Sequence, residues 1–349
     1  MKQTHYIALD VHSCFCEGGY IDERGREKGS WHTPTSIPAL LEVIESVPRP
    51  RKLVIEEGPL SDYLCRHLRE YVDAMVSSDP YRNALIAKDG SKSDGIDWRK
   101  LAQLYRGGYV KAVHHAEELW RSVFKQHVQL YHDRVRHRVS EALKVVWRVR
   151  RLGVTVKEKD LWDARRRSVM MEALPDEDVV SQDVKLMLEG YDKASEQVKQ
   201  LRIRLIALGK EQPMVKNFCQ LPGVSWVRAA TFFTIVDTPF RFKSKEKLWK
   251  YAGIGLEPRQ SGNGPGVLRS PRRFNRELKN VLLGAAKSAA ASKHNVFADQ
   301  YERWLNGQCS PRIARRNTAR SLATVMWGMW KSGSAFNPDL VAKTAAVIG

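Results

Sequence analysis

Cysteine is scarce in this chain. Cys14, Cys16, Cys65, Cys219 and Cys309 are the five in 349 residues, and they form no CxxC pair and no zinc-ligand spacing. That argues against a disulfide framework, and five reduced thiols of a cytoplasmic protein are expected. Long apolar runs are missing as well. The longest, AATFFTIV at 229–236, is far too short to cross a bilayer. The opening MKQTHYIALD enters a strand directly, with no signal-peptide layout, so no membrane partner is expected. No Gly-Lys-Ser/Thr phosphate loop, internal repeat or extended low-complexity segment occurs. Negative charge is in short supply: 39 Asp and Glu stand against 58 Lys and Arg, a formal net charge of +19. Such an imbalance points to a polyanionic partner, and with no membrane segment that partner is nucleic acid.

What is present reads as a folded protein of more than one domain, with 43% hydrophobic residues. Residues 5–10 form a buried strand, and FCEGGYID and REKGSWH follow as short strands around an ERG turn. A helix opens at Ser36 with Pro38 in its first turn. KLVIE is a fourth strand, SDYLCRHLREY a helix and VDAMVSS a fifth strand. The helical crossover makes the fourth strand parallel to the first. The expected N-terminal domain is therefore α/β, RNase H-like, over residues 1–172 with a basic helical extension from Glu117. A helix at about 177–208 carries apolar residues near a 3.5 spacing, which permits a coiled-coil partner, so residues 173–212 are read as a coiled-coil linker. Residues 213–349 are read as a mainly α-helical domain, with helices at roughly 273–293, 295–305 and 311–331, an irregular loop GLEPRQSGNGPGVLRSPRR and a loosely ordered tail.

Four carboxylates carry the chemistry. Asp10 ends the first strand and Glu56 the fourth, at the same end of neighbouring strands, where open α/β sheets place their sites. Glu57 would point to the opposite face. Asp94 and Asp97, in KSDGIDWRKLA, share a face at i,i+3 on a helix start. Oxygen-only ligands in this number suit a hard cation, and Mg2+ bound by Asp10, Glu56, Asp94 and Asp97 is the expected cofactor. The loop PRQSGNGPG places Ser261 among Arg259, Arg269, Arg272 and Arg273. A serine attacking phosphate needs its developing charge stabilised, which arginines or magnesium supply, but residue types alone leave Ser261 one loop serine among others. The basic helix offers Arg121, Arg134, Arg138 and Arg148 to a nucleic-acid backbone. Trp147, Trp162 and Trp226 are expected in packing rather than as stacking platforms.

The stretches IALDVHS, VIEEGPLSDYL, KSDGIDWRKLAQLYRGG, LPGVSWVRAATFFTIV, FKSKEKLWKYAGIGLEPRQSGN and RELKNVLLGAA resemble the DEDD transposases of the IS-one-ten family of insertion sequences, to which Piv-type DNA invertases are related. The resemblance covers about residues 5–330. It implies a RuvC-like domain whose DEDD tetrad maps onto Asp10, Glu56, Asp94 and Asp97. It also implies a nucleophilic serine, Ser261, in a C-terminal transposase domain. Such enzymes cut and rejoin donor and target DNA under the guidance of a structured noncoding (bridge) RNA. They assemble as homo-oligomers, dimer or tetramer, partly through a coiled coil, and act on the nucleoid within the cytoplasm. One departure is Phe274, which stands where the family commonly has glycine. Two other readings are a RuvC-like hydrolytic nuclease without a covalent intermediate, and a non-catalytic RNA-binding protein.

Overall fold

The computed structural model describes residues 3–83, 94–259, 267–292 and 294–346, the side chains at 82–83, 94–97, 259 and 343–346 excepted. It divides into two compact units, Met1–Ser122 and Val123–Gly349.

In the first unit, β1 (His5–Val11) is followed by the antiparallel strands β2 (Phe15–Ile21) and β3 (Glu27–Pro34). Helix α1 (Ile37–Glu45) leads to β4 (Arg51–Glu56), parallel to β1, and α2 (Ser61–Leu68) leads to β5 (Ala74–Ser78), parallel to β4. Then come α3 (Pro80–Asn83), α4 (Asp94–Arg106) and a two-residue strand β6 (Ala112–Val113), which pairs antiparallel with β5. The sheet order is β3-β2-β1-β4-β5-β6. The expected strands and crossover are all there; β6 is an addition.

Successive side chains on a strand point to opposite faces, and this divides the core in two. Ile7 and Leu9 of β1 join Leu53 and Ile55 of β4 under Leu40, Ile44, Leu64 and Leu68 of α1 and α2. Ala8 and Val54 face the other way, against Trp98, Leu101 and Ala102 of α4. Gly19 on β2 faces that helix too, and a Cβ there would collide with the Trp98 ring. A glycine is what lets α4 lie this close to the sheet. At the start of β4, Arg51 is buried and donates to the carbonyls of Glu45, Val47 and Tyr71, so its guanidinium fastens both preceding and following loops to the strand.

Helix α5 (Leu119–Arg151) begins at the end of the first unit; the second also holds α6 (Ala164–Glu172) and α7 (Asp178–Lys210). Helices α5 and α7 run antiparallel. Near one end His127 Nε2 lies 3.1 Å from the Leu201 carbonyl, and near the other Arg148 pairs with Asp183 at 2.6 Å. Between these points Ala142, Val145 and Val149 pack on Val184, Leu188 and Tyr191. The apolar stripe expected to seek a coiled-coil partner is thus covered within the unit.

The rest of this unit is α8 (Pro213–Phe218), α9 (Trp226–Val236), α10 (Lys245–Tyr251), the strands β7 (Glu257–Arg259) and β8 (Val267–Arg269), then α11 (Arg276–Ala291), α12 (Val296–Asn306), α13 (Pro311–Ser332) and α14 (Pro338–Ala346). Every residue of α9 from Ala229 to Val236 is buried, which is why that run has no polar face. Two expectations change here. Strands β7 and β8 pair antiparallel where only irregular loop was expected. The tail is also ordered as far as α14: Phe336 stacks on Phe297 at 6.0 Å and Val341 is buried in the main helical core. Trp147 and Trp162 differ too, being 67% and 65% exposed rather than packed.

Candidate catalytic site and basic surfaces

The register Leu9↔Ile55 sets Asp10 beside Glu56 at the C-terminal ends of adjacent parallel strands, about 4.8 Å apart in the pairing direction. Counting the alternation on from Ala8 and Val54, both carboxylates leave the sheet on the face that α4 covers. Asp10 is half-buried and Glu56 exposed. Glu56 is held from behind by Ser61, whose hydroxyl donates to the Glu56 carbonyl at 3.1 Å and accepts from the Gly58 N–H at 2.8 Å. Ser61, the first residue of α2, therefore shapes the turn after Glu56.

The direction of α4 is fixed at its other end. Gln103 donates to the Gly25 carbonyl, Arg106 to the Glu23 carbonyl, and Tyr105 meets Tyr6 edge-on at 5.9 Å. Those contacts lie at the turn between β2 and β3, beside the start of β1. Helix α4 therefore runs opposite to β1, and its first turn, which begins at Asp94 and includes Asp97, lies toward the strand ends that carry Asp10 and Glu56. The side chains of Asp94 and Asp97 lie outside the described residues. Among the described residues no three His, Cys, Asp or Glu side chains converge on a common metal position, and only two of the four expected ligands are among them.

Other groups crowd Asp10. His12 Nε2 lies 3.4 Å from Asp10 Oδ2. Phe15 stacks on both His12 and His32, at 4.5 and 4.9 Å, and His32 Nδ1 lies 2.5 Å from Glu17, the cross-strand neighbour of Asp10. The thiol of Cys16 is pushed up by burial, eased by the Thr35 hydroxyl and raised further by Asp10. The carboxylate oxygens of Asp10 and Glu56 are of the kind Mg2+ takes, and the His12 imidazole stands beside the first of them.

Glu57 turns to the opposite side, as alternation requires. It accepts from Ser77 Oγ at 2.5 Å and lies 2.7 Å from Nε2 of the largely buried His115, whose Nδ1 is 3.5 Å from Asp62. Burial raises the Asp62 carboxyl, but hydrogen bonds from Ser122 and Arg66 outweigh it and hold the group below the usual carboxylate range. This cluster ties β4, β5, α2 and the segment around residue 115 together beneath Glu56. Sequence reading missed it, because His115 arrives from far along the chain.

Ser261 falls between β7 and β8 in sequence and lies outside the described residues. Arg259 ends β7, its side chain outside them as well, while Arg269 on β8 and Arg272 and Arg273 beyond it are exposed. Asn275, beside Phe274, caps α11 by accepting from the Leu278 N–H. On α5 the candidate cations are partly engaged: Arg121 with Glu118, Arg134 with Asp133, Arg148 with Asp183. Exposed pairs of this kind are worth about 0–1 kcal/mol and exchange readily for a phosphate.

A sequence profile described as "Transposase IS116/IS110/IS902 family" matches residues 215–302, from α8 into α12. The chain is also 29% identical over 122 residues to the insertion element IS116 uncharacterized 44.8 kDa protein of Streptomyces clavuligerus, across 34% of this chain and 29% of that protein. It therefore spans less than a third of that relative's length in the alignment. No helix among the described residues is long and apolar enough to cross a membrane. The segment that spans α9, α10, β7, β8 and α11 is thus similar to the IS116/IS110/IS902 transposases.

Proposed function

We propose that this protein is a DNA transposase that cuts and rejoins donor and target DNA with a serine nucleophile and a carboxylate-bound Mg2+. The observation that carries this reading is the placement of Asp10 and Glu56 side by side on the sheet face crossed by α4, the helix that begins with Asp94 and Asp97. The strand order and the single antiparallel strand between β3 and β1 support an RNase H-like, RuvC-like assignment for this unit. Asp10, Glu56, Asp94 and Asp97 would hold the metal. When bound, Mg2+ supplies Lewis acidity at a phosphoryl oxygen. The chain's own work is then a transesterification. The Ser261 oxygen loses its proton and bonds to phosphorus, the bond from phosphorus to the sugar oxygen breaks, and that oxygen takes up a proton. A strand hydroxyl reverses the step on a new partner, so the energy of the phosphodiester is conserved. Arg259, Arg269, Arg272 and Arg273 would steady the phosphate's charge. A structured guide RNA, held along α5 by Arg121, Arg134, Arg138 and Arg148, and a dimeric or tetrameric assembly acting on the nucleoid complete the proposal.

The test is a denaturing gel of the chain with cleavable DNA and Mg2+. The parent forms a protein–DNA adduct; Ser261→Ala forms none and exchanges no strands, though it still binds DNA; Asp10→Asn folds and does neither reaction. A Ser261→Ala variant that still cuts, with no adduct from the parent, assigns the attack to water and replaces this reading with a hydrolytic nuclease.

A further inference from the structure

The second unit contains a cavity of about 380 Å³ whose polar lining is overwhelmingly cationic: Lys279 from α11 and Arg312, Arg315 and Arg316 from the first turns of α13. Ile254 and Gly253, just before β7, and Ser270, just after β8, form its rim at the base of the hairpin. Spacings of i, i+3 and i+4 put the three arginines on one face of α13. Among the described residues no carboxylate lines the cavity, and Arg312, Arg315 and Arg316 make no ion pair with any described carboxylate. Burial, followed by repulsion from Arg316 and Arg312, pushes the Lys279 ammonium below its ordinary value, and burial with Arg316 does the same to Arg320. The surroundings hold these cations in place. Lys279 Nζ sits 4.3 Å over the Phe274 ring, and Arg320 donates to the Ile254 carbonyl at 2.7 Å. Gly253 has φ +67, and a Cβ there would collide with Phe274, so glycine at this position and Phe274 go together.

Four like charges gathered without a counter-charge raise the free energy unless an anion joins them. The size lies within the range of ligand sites, about 300–1,000 Å³. The described lining, four cations and a hydroxyl among small and apolar residues, suits a phosphate rather than a base. Among the described residues that line it there is no aromatic platform for a base to stack on and no side-chain amide to read a base edge. RNA recognition leans on such groups and on unpaired bases. We infer that this cavity binds the phosphodiester backbone of duplex DNA, through Lys279, Arg312, Arg315 and Arg316, without reading sequence. This deepens the transposase reading by giving its C-terminal part a DNA contact that the motifs do not indicate.

The experiment is fluorescence anisotropy of the full chain with labelled duplex DNA and, separately, an RNA hairpin of matched length, over a salt series and without Mg2+. The pocket variant is Arg312→Ala/Arg315→Ala/Arg316→Ala. The control removes the same charge from an exposed face of α7, as Lys199→Ala/Arg202→Ala/Arg204→Ala. Relative to the control, the pocket variant is expected to lose about tenfold or more in DNA affinity, and its plot of log K against log salt to flatten by about one. Where thermal melting shows that the triple variant has not folded, Arg312→Ala against Arg202→Ala decides, both residues being exposed. DNA loss, with or without RNA loss, supports the assignment. Equal weakening by pocket and control variants, or loss on RNA alone, overturns it. Binding is read without turnover, so an active Ser261→Ala enzyme would sink the catalytic reading and leave this result standing, and the reverse.

Discussion

At the turn between β2 and β3, Asp22 is fully enclosed and accepts from the Arg24 and Arg26 N–H groups and the Arg26 guanidinium. Burial raises its carboxyl, but these bonds outweigh that and bring it down to about 2. A folded value below the unfolded one, about 3.9, means the stabilisation is fully present above pH ~4 and disappears as pH falls through about 2. Asp22→Asn should melt below the parent at pH 7, with the two melting curves converging as pH drops from 4 to 2; a constant gap would refute this. The thiols give a second residue-scale outcome. Burial pushes Cys65 and Cys219 up to about 11, while Cys14 is exposed. Peptide mapping after brief maleimide treatment at neutral pH should find Cys14 labelled and the other two labelled only in denaturant; rapid native labelling of Cys65 would contradict the packing of α2 on the sheet. Single residues were legible where a strand's period decides them: alternation separates Glu56 from Glu57 without any structure. The partners of Glu57 were not legible, because Ser77, His115 and Asp62 reach it through sheet order and helix packing.

Among the elements, those with a strong period could be read and those without could not. β1, β4, α5 and α7 each repeat their pattern over enough residues to declare it. β7 and β8 are three residues each, too short to show alternation, and their pairing depends on what lies between them. The apolar stripe of α7 declared that it had a partner but not which one; that partner is α5 of the same unit. The consequence for assembly is specific. Leu188 is 9% exposed in that internal seam, while Leu186 is 69% exposed. Leu188→Ala should cost about 2–5 kcal/mol in unfolding free energy. Leu186→Lys should leave melting unchanged, and if assembly uses this helix it should lower the mass seen by light scattering in the presence of DNA and the proposed guide RNA. An unchanged mass would remove α7 from the interface.

Over the whole molecule the net charge of +19 sets how binding responds to solution conditions. Nucleic-acid affinity should fall linearly in log–log against salt, with a slope that counts the phosphates neutralised; a flat response across 50–200 mM salt would reduce the basic faces to solvated surface. The carboxylate arrangement has a different consequence. Asp10, Glu56 and the acidic start of α4 stand on three elements far apart in sequence; the β1–β4 register brings the first two together, and the packing of α4 on the sheet through Trp98, Leu101 and Ala102 brings the third to the same end. An unfolded chain holds no such grouping, so a cation that needs all of them binds the native state alone. By linkage, occupancy raises the free energy of unfolding as RT ln(1 + [L]/Kd). On the proposed Mg2+ site, fold and ion act as ligands of one another: the melting temperature should become a titration of Mg2+, rising with its logarithm in the parent and indifferent to it in Asp10→Asn.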